Sequence, residues 1–89
     1  MLSITDLQDF MDLDPETVEA VMKATGLSEA AAITLAQQLL ESEKGIHTLH
    51  HMFRDQLADA AAKSDLPREQ ELRRAYAYFA RKYPMPHIL

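Results

Sequence analysis

Eighty-nine residues suffice for one domain, and 47% apolar with 26% charged residues describes a chain that folds, excluding a disordered tail. The lack of cysteine excludes a disulfide framework, a thiolate metal site and a cysteine nucleophile. The net charge of −5 hides an asymmetry that bears on partners: residues 1–66 sum to −8 and residues 67–89 to +3.

A chain this short buries roughly 60–65% of the surface its unfolded form exposes, so self-association is a natural supplement to its core. Met1-Leu2-Ser3-Ile4-Thr5-Asp6 has neither the cationic start nor the apolar run of a signal peptide. No apolar segment approaches the ~20 residues needed to span a bilayer, and a soluble cytoplasmic protein is expected.

In chain order, Ser3 can cap a short first helix, with Asp6 three residues on and Ile4, Leu7, Phe10 and Met11 at helical spacing. Asp14-Pro15-Glu16 then reads as N-cap, proline at the first helical position and a favourable acid. This second helix, about 15–25, places Val18, Val21 and Met22 on one face and stops at Gly26, the expected left-handed residue. Ser28 caps an alanine-rich third helix reaching about Ser42, with Ala32, Leu35, Ala36, Leu39 and Leu40 as its apolar face. Gly45 is expected to separate it from the next helix, a continuous or kinked helix being the alternative.

The fourth helix, about Ile46 to Lys63, has Ile46, Leu49, Phe53, Leu57 and Ala60 as its stripe. Ser64-Asp65-Leu66-Pro67 breaks and restarts the chain. The last helix, about 67–83, gathers Leu72, Ala75, Tyr76, Phe79 and Tyr83 on one face. Pro84 and Pro86 end it and leave residues 84–89 as an extended tail. No segment alternates with period two, and no hairpin dipeptide occurs. The expectation is an all-α, compact bundle of about five short helices, one domain over residues 1–83.

The densest chemistry is Ile46-His47-Thr48-Leu49-His50-His51-Met52-Phe53. With Ile46 at 0° and 100° per residue, His50 falls at about 40°, inside the apolar stripe, as a hydrogen-bonded residue at the core edge. His47 and His51 fall at about 100° and 140°, on the polar flank, four residues apart. Two imidazoles so spaced can share a metal ion, but a catalytic zinc site needs a third ligand, and Asp55 lies a further turn away. No His-Glu-x-x-His pattern supplies a base. No metal or cofactor is expected. A pH-sensitive contact and plain surface histidines stay open beside it.

Gly26, Leu27 and Leu35 follow the spacing of a helix-turn-helix, with Leu27 buried after the turn, but Met22 sits where that motif usually has a small residue. The would-be reading helix, Ser28 to Gln38, contains Glu29 and no Lys or Arg, which argues against DNA. The stretch Val18-Glu19-Ala20-Val21-Met22, then Gly26-Leu27-Ser28, then Ala32-Ile33 resembles the first two helices of ubiquitin-associated domains. That family's third helix would have to begin near Ile46, later than its usual spacing. The resemblance implies a module that binds peptides or ubiquitin-like folds; the pattern is common in helical hairpins, and no family is assigned from it.

On the last helix, with Leu72 at 0°, Tyr78 falls at about 240°, beside Arg74 at about 200°, Arg81 at about 180° and Lys82 at about 280°. An outward tyrosine among cations suits a partner surface, an RNA-stacking patch or an anionic membrane contact, and a solvated basic face is the plain alternative. The apolar end Ile88-Leu89 is a second candidate contact. No phosphate loop, nucleophile elbow or Glu-x-x-His pair is present, so no catalysis is expected. The chain reads as a small cytoplasmic adaptor, inhibitor or accessory subunit that binds another protein and forms a homodimer. Arg74, Tyr78, Arg81, Lys82, Ile88 and Leu89 are the candidate contacts. The alternatives are a metal- or pH-responsive bundle using His47 and His51 and, third, a nucleic-acid-binding module; no membrane role is expected.

Overall fold

Every helix leaves amide and carbonyl groups unpaired at its ends, and the chain settles these at the positions where its elements change. The computed structural model describes residues 13–86, which form four α-helices and no strand: α1 (Pro15–Thr25), α2 (Glu29–Leu39), α3 (Glu43–Ala62) and α4 (Leu66–Lys82). The fold is all-α, with four helices where about five were expected. The expected first helix, built on Ser3, Ile4, Leu7, Phe10 and Met11, lies outside the described residues. None of the described helices is long and apolar enough to cross a membrane.

The Asp14 carbonyl accepts the Thr17 and Val18 amides at 3.0 and 3.1 Å, and Pro15 opens α1. The Asp14 side chain does not cap; its carboxylate lies 3.6 Å from the Lys82 ammonium, joining the start of α1 to the end of α4. Gly26 takes φ 77°, and its amide returns to the Met22 carbonyl at 2.7 Å, as its position promised. Ser28 and Asp65 accept the amides three residues on, from Ala31 and Arg68. The end of α3 is a Schellman turn made without glycine. Ser64, at φ 55°, donates to Ala61 and Asp65 donates to Ala60.

Gly45 corrects the sequence expectation. It is not the break between helices but a buried residue inside the first turn of α3. The break lies earlier, at residues 40–42, and Ser42 is the cap, accepting the Gly45 amide at 3.0 Å. Glycine is required because the Leu39 backbone at the end of α2 presses on it: a Cβ at position 45 would fall into the Leu39 carbonyl.

The helices pack as two hairpins, α1 with α2 and α3 with α4, closed face to face by α3 against α1 and α2. The core is Val18, Val21, Ala32, Ala36, Leu49, Phe53 and Phe79, with the short alanines letting α2 approach closely. Thr17 and Ala20, outside the expected face of α1, are buried with it. Leu27, expected inside after the turn, is 38% exposed, so the apolar lock of a helix-turn-helix is missing. Gln56 ties α3 to α1 by donating to the Ala20 carbonyl at 2.8 Å.

Two substitutions test this packing by urea denaturation. Phe53, fully buried between Tyr76 and Phe79, should lose about 3–5 kcal/mol on change to Ala, a large part of the ~5–15 kcal/mol of a whole domain. Gly45→Ala in an open helix would gain about 1 kcal/mol. Here the backbone must move, and a loss of about 1–3 kcal/mol is expected; a gain would show that Leu39 does not press on it.

Candidate functional site

Burial sorts the α4 side chains. Leu72 and Phe79 are buried, Ala75, Tyr76 and Tyr83 are half-buried, and Tyr78 is 50% exposed. What fixes this rotation is His50, buried on α3. Its Nε2 lies 2.7 Å from the Tyr83 carbonyl, which can only accept, so Nε2 carries the proton. Nδ1 is then the acceptor, and the Tyr76 hydroxyl donates to it at 2.8 Å. The ring meets Tyr76 and Phe79 edge to face, at 5.4 and 5.0 Å between centroids. The hydrogen-bonded histidine expected at the core edge is thus wholly inside the core.

His47 and His51 do stand together, with ring centroids 4.5 Å apart and planes tilted by 59°. Among the described residues they gather no third His, Asp or Glu into a cluster able to hold a metal ion. Asp55 instead lines a cleft against α1 and α4.

The α4 cations divide into two groups. Arg68 pairs with Glu71 at 3.0 Å and Arg73 with Glu69 at 2.8 Å, both within the helix. Lys82 is engaged in the fold: besides Asp14, it lies over the rings of Tyr78 and Tyr83 at 5.5 and 5.9 Å. That differs from the outward cation expected at this position. Arg74 and Arg81, both exposed, form no ion pair among the described residues. Arg74 and Tyr78 share a groove of about 370 Å³ with Glu16, Glu71 and Ala75, so α1 contributes one wall. The structure therefore brings Arg74 and Tyr78 together and leaves Arg81 exposed on the same helix. Ile88 and Leu89 lie outside the described residues.

Two other concavities compete. A cleft of about 530 Å³ between the ends of α1 and α3 and the start of α4 carries Lys23, Lys63 and Arg68 against Asp55, Asp59 and Asp65. Its charges offset one another, Lys63 lying 3.2 Å from Asp59, and give little net field to select a ligand. A smaller groove of about 240 Å³ between α1 and α2 is mostly apolar, lined by Leu13, Val18, Met22 and Ile33 with Glu19 and Glu29 at its edge. Sequence reasoning found neither. Both combine side chains from separate helices, and only the Val18–Met22 pair gave a local signal. Set beside known protein-family models, curated proteins and solved structures, the chain finds no match.

Burial holds the His50 imidazole below its ordinary value of 6.5; the Tyr83 carbonyl opposes this, while Arg54, His47 and His51 add to it. The unfolded chain therefore binds a proton that the folded chain refuses. Stability is complete above pH ~6.5 and falls as pH drops from there toward the lowered folded value. Urea midpoints measured from pH 8 to pH 5 should decline across this window, and His50→Gln should flatten that part of the profile. An unchanged profile in the variant would assign the decline to other groups.

Proposed function

We propose that the protein acts by binding another protein through the α4 face centred on Tyr78, with Arg74 and Arg81 beside it, and has no catalytic activity of its own. The observation that carries this is the contrast along one helix. Tyr76, Phe79 and Tyr83 turn into the core, three cations are engaged within the fold, and Tyr78, Arg74 and Arg81 are left outward. Tyrosine and arginine are the residue types that dominate interface hot spots, because each buries much surface while keeping a polar handle. A half-exposed ring beside two arginines without ion-pair partners is a surface ready to be covered.

A second copy of the chain is one partner this face suits. Glu16 and Glu71 stand in the same groove as Arg74, and a two-fold axis would set each arginine against a carboxylate of the other copy. A role as adaptor, inhibitor or accessory subunit in the cytoplasm fits the small size and the absence of cysteine.

A photo-crosslinking residue placed at Tyr78 should capture one protein species, this chain itself included, and Arg74→Glu with Arg81→Glu should abolish that capture. Tyr78→Ala should change stability by no more than about 0.5 kcal/mol yet weaken binding by ~2 kcal/mol, about thirtyfold. Tyr76→Ala should do the reverse, unfolding first, since its ring stacks on Phe53 at 5.5 Å and its hydroxyl serves His50. Capture that is indifferent to both arginines, or a Tyr78→Ala chain that unfolds, would overturn the reading.

A further inference from the structure

We propose that the apolar groove between α1 and α2 is the seat of the chain's own residues 1–12, with Phe10 as the anchoring side chain. The groove follows α1 for two turns, from Pro15 through Val18 and Glu19 to Met22, with Glu29 and Ile33 of α2 opposite. Its volume of about 240 Å³ is enough for an aromatic ring, since a cavity of about 150 Å³ takes up benzene.

Three observations choose this occupant. First, Leu13 forms part of the groove wall and is bonded directly to Asp12, so the segment is held beside the groove at a high effective concentration. Second, Ile4, Leu7, Phe10 and Met11 fall within about 120° of one helical face, an apolar strip of the kind that lies in a groove. Third, the acids agree with that orientation. Glu19 and Glu29 edge the groove, and the segment's own Asp6, Asp9 and Asp12 occupy about 120° on the side away from its apolar face. Like charges are thereby kept apart while the apolar sides meet. The groove and the Tyr78 face are separate surfaces, so this proposal stands or falls independently of the binding role of α4.

The test uses the full chain with methyl groups of Met and Ile labelled for nuclear magnetic resonance, alone and mixed with unlabelled chain. Nuclear Overhauser contacts from the Phe10 ring to the Ile33 and Met22 methyls, arising within one chain, are the expected result. Phe10→Ala should then lower the thermal midpoint by several degrees, Asp9→Ala should leave it unchanged, and Tyr78→Ala should leave the contacts in place. Contacts seen only between labelled and unlabelled chains would give the groove to a second copy. Contacts from Ile88 or Leu89 would give it to the other end of the chain. Either result, or the absence of Phe10 contacts to these methyls, overturns the proposal whatever Phe10→Ala does to the melting point.

Discussion

The imidazole of His50 has two nitrogens and no water to turn to, and α4 must meet both at once. Tyr76 on α4 and Tyr83 at its C-cap lie seven residues apart, about 10.5 Å along the helix axis, with Phe79 between them against the ring. A rotation of α4 would orphan a nitrogen inside the core, at about 1–3 kcal/mol, while each bond made contributes only ~0.5–1.5 kcal/mol net. The network therefore stabilises modestly and specifies strongly. It also settles the Tyr83 carbonyl, one of the four that the end of a helix leaves without a partner. Protonation would not break this geometry, because the Tyr76 hydroxyl can rotate to accept. What resists protonation is the burial of a charge, which outweighs the attraction of the carbonyl.

With the α3–α4 pair locked in this rotation, the rest of the layout follows. The rings of Phe53, Tyr76, Phe79 and Tyr83 fill the centre and leave Tyr78 the one exposed aromatic among the described residues. Lys82, one residue before Tyr83, is carried round to Asp14 and becomes a strap between α4 and α1. Gln56 makes the corresponding tie between α3 and α1, and its Oε1, buried without a hydrogen-bond partner among the described residues, marks the less exact of the two joints. The contrast is instructive: histidine satisfies both its polar atoms, the amide only one.

Local signals in the sequence were sufficient wherever one residue decides one event. Gly26 ends α1 through its own left-handed backbone, and Ser28 caps α2 through its own hydroxyl. Gly45 does not follow that rule, because its requirement comes from Leu39 across the turn and not from its own φ. Ser42 caps α3 through its own hydroxyl, as Ser28 caps α2, and Glu43 after it is the acid that a first helical turn favours. Ser64 carried no composition signal for a left-handed turn, since glycine is the usual residue there. Helical phase alone placed Tyr78 outward and His50 inward. It could not tell that Lys82 would be drawn inside or Leu27 left out, as both depend on how separate helices meet.

The consequence for function lies in which residues the fold has already used. In a chain of 89 residues the core is small, and devoting a histidine and two tyrosines to one buried junction commits much polar and aromatic chemistry to cohesion. Tyr78 is made of the same chemistry but is excluded from that junction, and its hydroxyl has no hydrogen-bond partner among the described residues. Arg74 and Arg81 stand in the same relation to Arg68 and Arg73, whose charges the helix neutralises for itself. Side chains of one kind are thus divided by position between cohesion and outward contact. The division follows the turn of a single helix, so a change to the outer face leaves the junction intact. That independence is what the binding role proposed for the α4 face requires.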